Sequence, residues 1–406
     1  MAIGIAVFQG EHLRNVVVMG GPTMRRLLHA SSVVPMRRSS FVSVIGVGAV
    51  VAAMLSASPA SAGSAATIGC GDTITTNVVL TRNLDCTGDG LIVGAGVAGI
   101  TIDLNGYALS GSGSGYGIRG GFSGVTIQNG KIRNFNIAVL SMRGRLDGLK
   151  ILDNSIGAFD FTGEINGSTF RDNGDAVRTG ATFVGISVIG STFVANQAGI
   201  VSSIAPIRVD SSTFRENTTA ISGFDNDIFV TDSRFVGNTT SITTFICGVR
   251  IFDSVFSGGE VAVQVGTQGG YPLDVERNRF SGSKIGLRLT GLLFPPRDDR
   301  PYTIADNVFA DNGASGLVLD MINQGGSLLV SANVFKRNGF SPDAFTASTG
   351  AVLDAGLWAN TGTFANNHAV SNAGYGIEAY GVIDGGGNTA KRNGNPDQCL
   401  GVTCTE

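Results

Sequence analysis

The chain has 406 residues, of which 15% are charged and 60 are glycine. A net charge of -3 and an isoelectric point of about 5.7 give no excess of basic groups, so nucleic acid is not expected as a partner. Abundant glycine disfavours helices, since glycine costs roughly 1 kcal/mol relative to alanine inside a helix. The composition therefore indicates an all-β protein.

The N-terminal region has the pattern of a secretory signal. Arg37 and Arg38 precede an apolar run over residues 41–55, and small residues at 60–62 supply a cleavage pattern. We predict an unstructured upstream extension at 1–35, a signal peptide at 36–62 and one domain over 63–404. The apolar run is shorter than the roughly 20 residues that a membrane span needs. The product is therefore expected to be secreted, with no membrane contact after signal removal.

The cysteines form two local pairs at opposite ends of the predicted domain. Cys70 with Cys86, and Cys399 with Cys404, predict two disulfides in an oxidising compartment. Zinc is the alternative, but the chain has only three histidines and the pairs are far apart in sequence. Cys247 lies in an apolar run and is expected to be a buried, free thiol.

A tripeptide of a small polar residue, any residue and phenylalanine recurs through the chain. Its phenylalanines are Phe170, Phe193, Phe214, Phe235, Phe256, Phe280, Phe309 and Phe335. They are separated by 21 to 29 residues, which is the range of solenoid repeats. Each unit is interpreted as two short strands, one carrying the Phe and one of the form Gly-hydrophobe-x-hydrophobe, joined by turns.

An asparagine follows most of these Phe positions by three residues. The set is Asn154, Asn173, Asn196, Asn217, Asn238, Asn312, Asn338, Asn372 and Asn393, with gaps at Gly259 and Ser283. We predict a ladder of stacked amides, in which asparagine also tolerates the left-handed backbone of a turn.

The second strand of the unit alternates between apolar and polar residues. Side chains alternate across a strand, so the apolar set is predicted to point inward. This set is Leu287, Leu289, Leu317, Leu319, Leu353 and Ile377. The outward set is Arg288, Thr290, Asp320, Asp354, Glu378 and Tyr380.

Residues 67–404 resemble the secreted right-handed parallel β-helix proteins of the pectate-lyase-like superfamily. The resemblance rests on CGDTIT at 70–75, GDGLI at 88–92, IDLNG at 102–106, NPDQC at 395–399 and the repeated Phe and Asn positions. It implies a right-handed parallel β-helix of roughly a dozen coils with disulfide-closed ends. The superfamily includes lyases, hydrolases, epimerases and proteins without an assigned reaction, so the fold does not select an activity. The Gly-His-Gly and Arg-Ile-Lys segments of polygalacturonase-like members are missing, which disfavours that activity.

Asp320 and Asp354 are the candidate metal ligands. Each lies the same number of residues before an asparagine of the repeat, so we predict that the two carboxylates stack one coil apart, about 5 Å from each other. Clustered carboxylates attract Ca²⁺. Arg288, Glu378 and Tyr380 on the same face are candidate catalytic groups for neutralising a uronate and removing a proton beside it. The alternative is a solvated polar face.

Lengthened loops after this strand could form the wall of a groove. They include residues 292–302, where Arg300 and Tyr302 are candidate substrate-binding residues, and 355–362, where Trp358 could stack on a sugar. Packing is the alternative for Trp358. The adjacent acids Asp298 and Asp299 are interpreted as a solvated turn, because adjacent carboxylates alone position nothing.

The sequence thus predicts a secreted, monomeric β-helix that binds or acts on extracellular polysaccharide, as a Ca²⁺-assisted lyase or epimerase of uronate chains. The alternative, from a different class, is a non-catalytic surface or matrix protein.

Overall fold

The computed structural model describes residues 68–180, 182–297, 300–341 and 355–406. Within those ranges the chain contains no α-helix and folds into a parallel β-solenoid of about 15 turns. No helix there is long and apolar enough to cross a membrane. The predicted extension and signal peptide lie outside the described residues, and their assignment stays a prediction.

The described residues of the solenoid form 39 strands. The first third are β1 Asp72–Ile74, β2 Val78–Val79, β3 Leu84–Asp85, β4 Leu91–Val93, β5 Thr101–Asp103, β6 Ala108–Ser110, β7 Tyr116–Arg133, β8 Ile137–Leu152, β9 Ile156–Asn166, β10 Thr169–Arg171, β11 Asp175–Arg178, β12 Ile186–Ile189 and β13 Thr192–Val194. Then follow β14 Ala198–Ser202, β15 Ile207–Asp210, β16 Thr213–Arg215, β17 Thr219–Phe224, β18 Asp227–Thr231, β19 Arg234–Val236, β20 Thr240–Phe245, β21 Gly248–Phe252, β22 Val255–Ser257, β23 Val261–Thr267, β24 Leu273–Glu276, β25 Arg279–Ser281 and β26 Ile285–Leu293. The last are β27 Tyr302–Ala305, β28 Val308–Ala310, β29 Ser315–Asn323, β30 Leu328–Ser331, β31 Val334–Lys336, β32 Leu357–Ala359, β33 Thr363–Ala365, β34 His368–Val370, β35 Ile377–Ala379, β36 Ile383–Gly386, β37 Asn388–Lys391, β38 Cys399–Leu400 and β39 Cys404–Thr405.

Each coil from β10 to β36 contains three strands, not the predicted two. Strands pair in parallel with the strand three places later, as in β10 with β13, β11 with β14 and β12 with β15. We call the stack that contains β10 and β13 the first sheet, the stack with β11 and β14 the second, and the stack with β12 and β15 the third. The third strand was missed because it lies between the Gly-hydrophobe strand and the next Phe and was interpreted as a connection.

The repeated phenylalanines form one column inside the first sheet, as predicted. The eight rings from Phe170 to Phe335 are fully buried, and consecutive centroids lie 4.6 to 5.1 Å apart with nearly parallel planes. The column extends through Ile132 to Leu109 and Leu84 at the N-terminal end. These two additional positions partly explain why the solenoid has more turns than the predicted dozen.

The predicted asparagine ladder is present. The side-chain amide of Asn196 donates to the Oδ1 atom of Asn217 at 2.9 Å, and Asn217 donates to Asn238 at 2.9 Å. The ladder stops at Gly259, resumes at Asn312 and ends where Gln398 accepts from Asn393. Positive φ falls on the residue before each ladder position, for example Asp172 at 56°, and not on the asparagine. The amides, and not a left-handed backbone, therefore account for asparagine here.

The small polar residue of the tripeptide forms a second ladder that sequence reasoning did not assign. The backbone N–H of Ser191 donates to the hydroxyl of Ser212 at 3.1 Å, and that of Ser212 donates to Ser233 at 3.1 Å. From Asn278 onward asparagine replaces serine and donates to the next asparagine as well. Both corners of the first sheet are thus closed by buried side-chain hydrogen bonds, which satisfy backbone groups that would otherwise be unpaired.

The remaining fold predictions that can be checked are confirmed. The Cys70–Cys86 and Cys399–Cys404 disulfides are formed near the two ends, and Cys247 is a buried free thiol. The predicted inward side chains are buried, apart from Leu353, which lies outside the described residues. Regular stacking leaves the outward positions of each sheet as the places where function can vary.

Candidate functional site

The predicted catalytic residues on the second sheet do not converge. Arg288 pairs with Val318, Val318 with Trp358 and Trp358 with Glu378, so all four occupy one outward column. At about 4.8 Å per strand, Arg288 lies three coils, or about 14 Å, from Glu378. The three predicted groups therefore share a face but cannot act on one atom.

The predicted stacking of Asp320 on Asp354 is wrong. Strand β29 pairs with β32 through Leu319 and Ala359, so the residue beside Asp320 in the next coil is Asn360. The side chain of Asn360 confirms this placement, because it accepts a hydrogen bond from the Met321 backbone at 3.0 Å. Asp354 itself lies outside the described residues, as do Asp298 and Asp299.

Ca²⁺ binding by Asp320 and Asp354 stays a prediction, because Asp354 lies outside the described residues. Ca²⁺ takes six to eight oxygen ligands, several of them carboxylates. Among the residues that the structure describes, no group of three or more His, Cys, Asp or Glu side chains could hold a metal ion. Asp320 is half-buried, and the described residue beside it in the next coil is the amide Asn360.

Glu378 and Tyr380 form the one close pair among the predicted catalytic residues. The Tyr380 hydroxyl donates to Oε1 of Glu378 at 2.8 Å, while Glu378 is only 7% exposed and Tyr380 is 47% exposed. The hydrogen bond to Glu378, together with burial and the adjacent negative charge, raises the pKa of Tyr380 to about 12. The phenol is therefore held protonated and can donate a proton, but it is unsuited to act as a base.

The predicted sugar-stacking residues are buried. Trp358 has no exposed surface and packs in an apolar cluster with Val318 and Ile285, which agrees with the packing alternative. Tyr302 is 5% exposed and its hydroxyl donates to the carbonyl oxygen of Phe294 at 2.9 Å. Neither ring can stack on a ligand in this arrangement, whereas Arg300 is exposed.

The third sheet carries an arrangement that sequence reasoning missed. Its outward positions in three successive coils are Arg208, Phe229 and Arg250, which pair directly through β15, β18 and β21. We call these residues the Arg-Phe-Arg row. The signal in the sequence was the alternation in Ile207–Asp210, Asp227–Thr231 and Gly248–Phe252, where buried apolar residues flank each member of the row. It could be detected only once a third strand was assigned.

The row lies in a surface groove of about 430 Å³. Gly163 and Gly185, in the coils before Arg208, line one end of the groove and present no side chain to it. A Cβ atom at Gly185 would lie 2.5 Å from the carbonyl oxygen of Pro206, so the close stacking of these corners requires glycine. The column that contains the Arg-Phe-Arg row continues into the two preceding coils as Ser187 and Glu164.

The two arginines differ in how their charges are compensated. The Arg208 guanidinium lies 4.8 Å above the Phe229 ring and has no carboxylate partner in the described part of the chain. Arg250 lies 3.5 Å from a carboxylate oxygen of Asp274. Asp227 is the one acid among the groove-lining residues. An exposed guanidinium over an aromatic ring, without a counter-charge, is suited to bind an anion.

A second depression, of about 440 Å³, is less suited to a charged ligand. Asp311 and Arg337 line it and form a two-point salt bridge with each other, with Nη2 of Arg337 2.7 Å from Oδ2 of Asp311. The Arg337 guanidinium lowers the pKa of Asp311. The charges in this depression are thus already paired.

Comparison with known proteins identifies no family for this chain. No family model and no curated protein matches the sequence. Among solved structures, the catalytic domain of a GH87 alpha-1,3-glucanase in complex with tetrasaccharides is similar at 11% identity and a TM-score of 0.22. The alignment covers 82% of this chain and 62% of that chain, so it spans less than two thirds of the glucanase domain. A similarity of this strength carries no functional argument.

Proposed function

We propose that this protein binds an anionic extracellular polysaccharide in the groove of the third sheet. The observation that carries the proposal is the Arg-Phe-Arg row, which sets two guanidinium groups and an aromatic ring along the solenoid axis in an open groove. A linear polymer can follow that axis through successive coils. An extended chain of sugars thus matches the shape of the site.

The chemistry of the row fits an acidic sugar. A guanidinium group presents parallel N–H donors that match the two oxygens of a carboxylate or the oxygens of a sulfate. Phe229 holds the Arg208 guanidinium in place through the cation–π contact, so the row presents an ordered cation to the ligand. Because the site is exposed, added salt should weaken the interaction.

An extracellular location is part of the proposal. The Cys70–Cys86 and Cys399–Cys404 disulfides are the kind that form and persist outside the cytosol. The predicted signal peptide at 36–62 is consistent with export.

The groove is suited to binding and not to turnover. Acid–base chemistry on a sugar needs at least two positioned proton-transfer groups. The groove-lining residues include one carboxylate, Asp227, and no histidine, tyrosine or lysine. This composition favours the non-catalytic class among the functions predicted from the sequence.

Lyase or epimerase activity is a second candidate, supported by the Tyr380–Glu378 contact alone. A phenol held protonated by a buried carboxylate could protonate the leaving oxygen of an elimination. Ultraviolet detection of unsaturated products from alginate and pectate would test it. Product formation that is lost in Tyr380→Phe would support the candidate, and no product from wild type would remove it.

Binding is tested by titrating the mature chain with acidic and neutral polysaccharides at low and physiological salt. We expect the double variant Arg208→Gln, Arg250→Gln to lose at least about tenfold in affinity, since each charge-assisted contact contributes on the order of 1 kcal/mol. Arg215→Gln is the matched control, because Arg215 is an exposed arginine on the first sheet, in the strand that directly follows the strand of Arg208. Equal affinities of wild type and double variant would refute the proposal.

A further inference from the structure

The two arginines of the Arg-Phe-Arg row differ in how many carboxylates lie around them. Arg250 lies 3.5 Å from a carboxylate oxygen of Asp274, its neighbour in the next coil. The Asp227 carboxylate approaches the same coil as Arg250, because its Oδ1 atom lies against Gly248, two residues earlier in β21. The Arg250 guanidinium thus has two acids near it, and an anionic ligand would have to compete with both of them.

Arg208 has no such neighbour in the described part of the chain. Its guanidinium lies 4.8 Å from the centre of the Phe229 ring, which holds the group in place without neutralising its charge. Arg208 is exposed, and no described carboxylate lies within salt-bridge distance of it. An anion that reaches this guanidinium therefore meets an ordered cation whose charge is not yet compensated.

The coils before Arg208 disfavour a second anion. In the column of the row they carry Ser187 and then Glu164. Glu164 shares the Arg145 guanidinium with Asp147, at 3.5 and 3.2 Å, so two carboxylates face one cation there. An acidic sugar at this end of the groove would be repelled, whereas an uncharged sugar could hydrogen-bond to the Ser187 hydroxyl.

The groove beside these positions suits the body of an uncharged sugar. Gly185 and Pro206 lie two residues before Ser187 and Arg208, and both line the groove. Gly185 presents no side chain, and the exposed Pro206 ring offers an apolar surface for the C–H groups of a sugar. A sugar next to an acidic unit at Arg208 would occupy the space over Gly185 and contact Pro206.

We infer that Arg208 is the anion-binding residue of the groove and that the ligand continues from it toward the N-terminal end as uncharged sugars. The ligand class is a polysaccharide whose acidic units are isolated between neutral ones, and not a polymer with an acid on every unit. This inference rests on the proposed function and specifies the ligand of the same groove.

The test uses three galacturonate hexasaccharides of equal length, measured by titration calorimetry at equal ionic strength. One has every carboxylate free, one has every carboxylate methyl-esterified, and one has a single free carboxylate at a middle unit. We expect the single-acid hexasaccharide to bind at least as tightly as the fully acidic one. It should bind about tenfold more tightly than the fully esterified one, because it forms one charge-assisted contact.

Single variants assign that contact to one arginine. Arg208→Gln should abolish the tenfold advantage of the free carboxylate, whereas Arg250→Gln should reduce affinity about threefold at most. Arg215→Gln, on the first sheet, is the matched control and should bind all three hexasaccharides as wild type does. Unchanged melting temperatures would show that the variants are folded.

The outcomes separate the two proposals. Affinity that rises with the number of free carboxylates, or equal losses in Arg208→Gln and Arg250→Gln, would overturn the inference and leave polysaccharide binding intact. Failure of all three hexasaccharides and of the acidic polysaccharides to bind would overturn the proposed function as well.

Discussion

Replacing Asn217 by alanine should destabilise the solenoid strongly and locally. Its side chain accepts from the backbone N–H and the side-chain amide of Asn196 at 3.0 and 2.9 Å. It also donates to Oδ1 of Asn238 at 2.9 Å and to the carbonyl oxygen of Phe193 at 3.1 Å. Loss of four buried hydrogen bonds at about 1 kcal/mol each predicts a cost of about 4 kcal/mol. The partners left behind have no access to water, which raises the cost.

Native-state hydrogen exchange measures this effect better than a single unfolding curve, because stability in a solenoid is summed over neighbouring coils. The amide of Asn196 should exchange roughly a thousandfold faster in Asn217→Ala, whereas amides of coils near Phe335 should be unaffected. Thr218→Ala is the matched control, because that adjacent side chain is exposed. A change of less than tenfold at Asn196, or an equal change in distant coils, would refute the role assigned to the ladder.

Three further predictions concern the gap in the ladder, the tyrosine pair and the N-terminal end. Gly259→Ala should cost at least about 2 kcal/mol in chemical denaturation, because Gly259 has a φ of 96° and an added Cβ atom would clash with a backbone carbonyl oxygen of the preceding coil; an unchanged midpoint would contradict this. Glu378→Gln should return the pKa of Tyr380 from about 12 toward its ordinary value of about 10 in an ultraviolet titration. Folding raises the pKa of Tyr380, so the Tyr380–Glu378 pair stabilises the fold below about pH 10. This contribution is lost as the pH rises toward about 12. Equal stability of wild type and Glu378→Gln across this alkaline range would exclude a stabilising role for the pair. Replacing Cys70 and Cys86 by serine should lower stability by about 3 kcal/mol, because the disulfide closes a loop with a sequence separation of 16, and calorimetry of wild type and variant would check this.

The inward half of the fold could be predicted from the sequence because stacking constrains it in every coil. Each Phe of the column must pack on the next one, and each ladder asparagine must bond to the next one, so both repeat visibly. The third strand escaped prediction although its buried residues also repeat, since Ile207 and Val209 stack on Ile186 and Val188. Its short Ile-x-Val pattern lies directly before the next Phe tripeptide and was assigned to the connection between the two predicted strands.

The candidate site was harder to predict because outward residues are under no such constraint. The alignment of Asp320 with Asp354 failed because it counted residues across a corner, and corners differ in length. The corner from β29 to β30 is longer than the corner from β32 to β33, so equal spacing to the next asparagine did not mean equal register. The Arg-Phe-Arg row, in contrast, arises from register between strands, and the alternation within each strand does not show which outward residues stack on one another.

The most direct test of the account is arginine modification by phenylglyoxal, read by mass spectrometry, with and without an acidic polysaccharide. Arg208 is exposed and lies in the groove, whereas Arg215 is exposed on the first sheet. We predict that polysaccharide protects Arg208 from modification and leaves Arg215 reactive. Equal protection of both arginines, or protection of neither under conditions of measured binding, would contradict the assignment of the groove as the binding site.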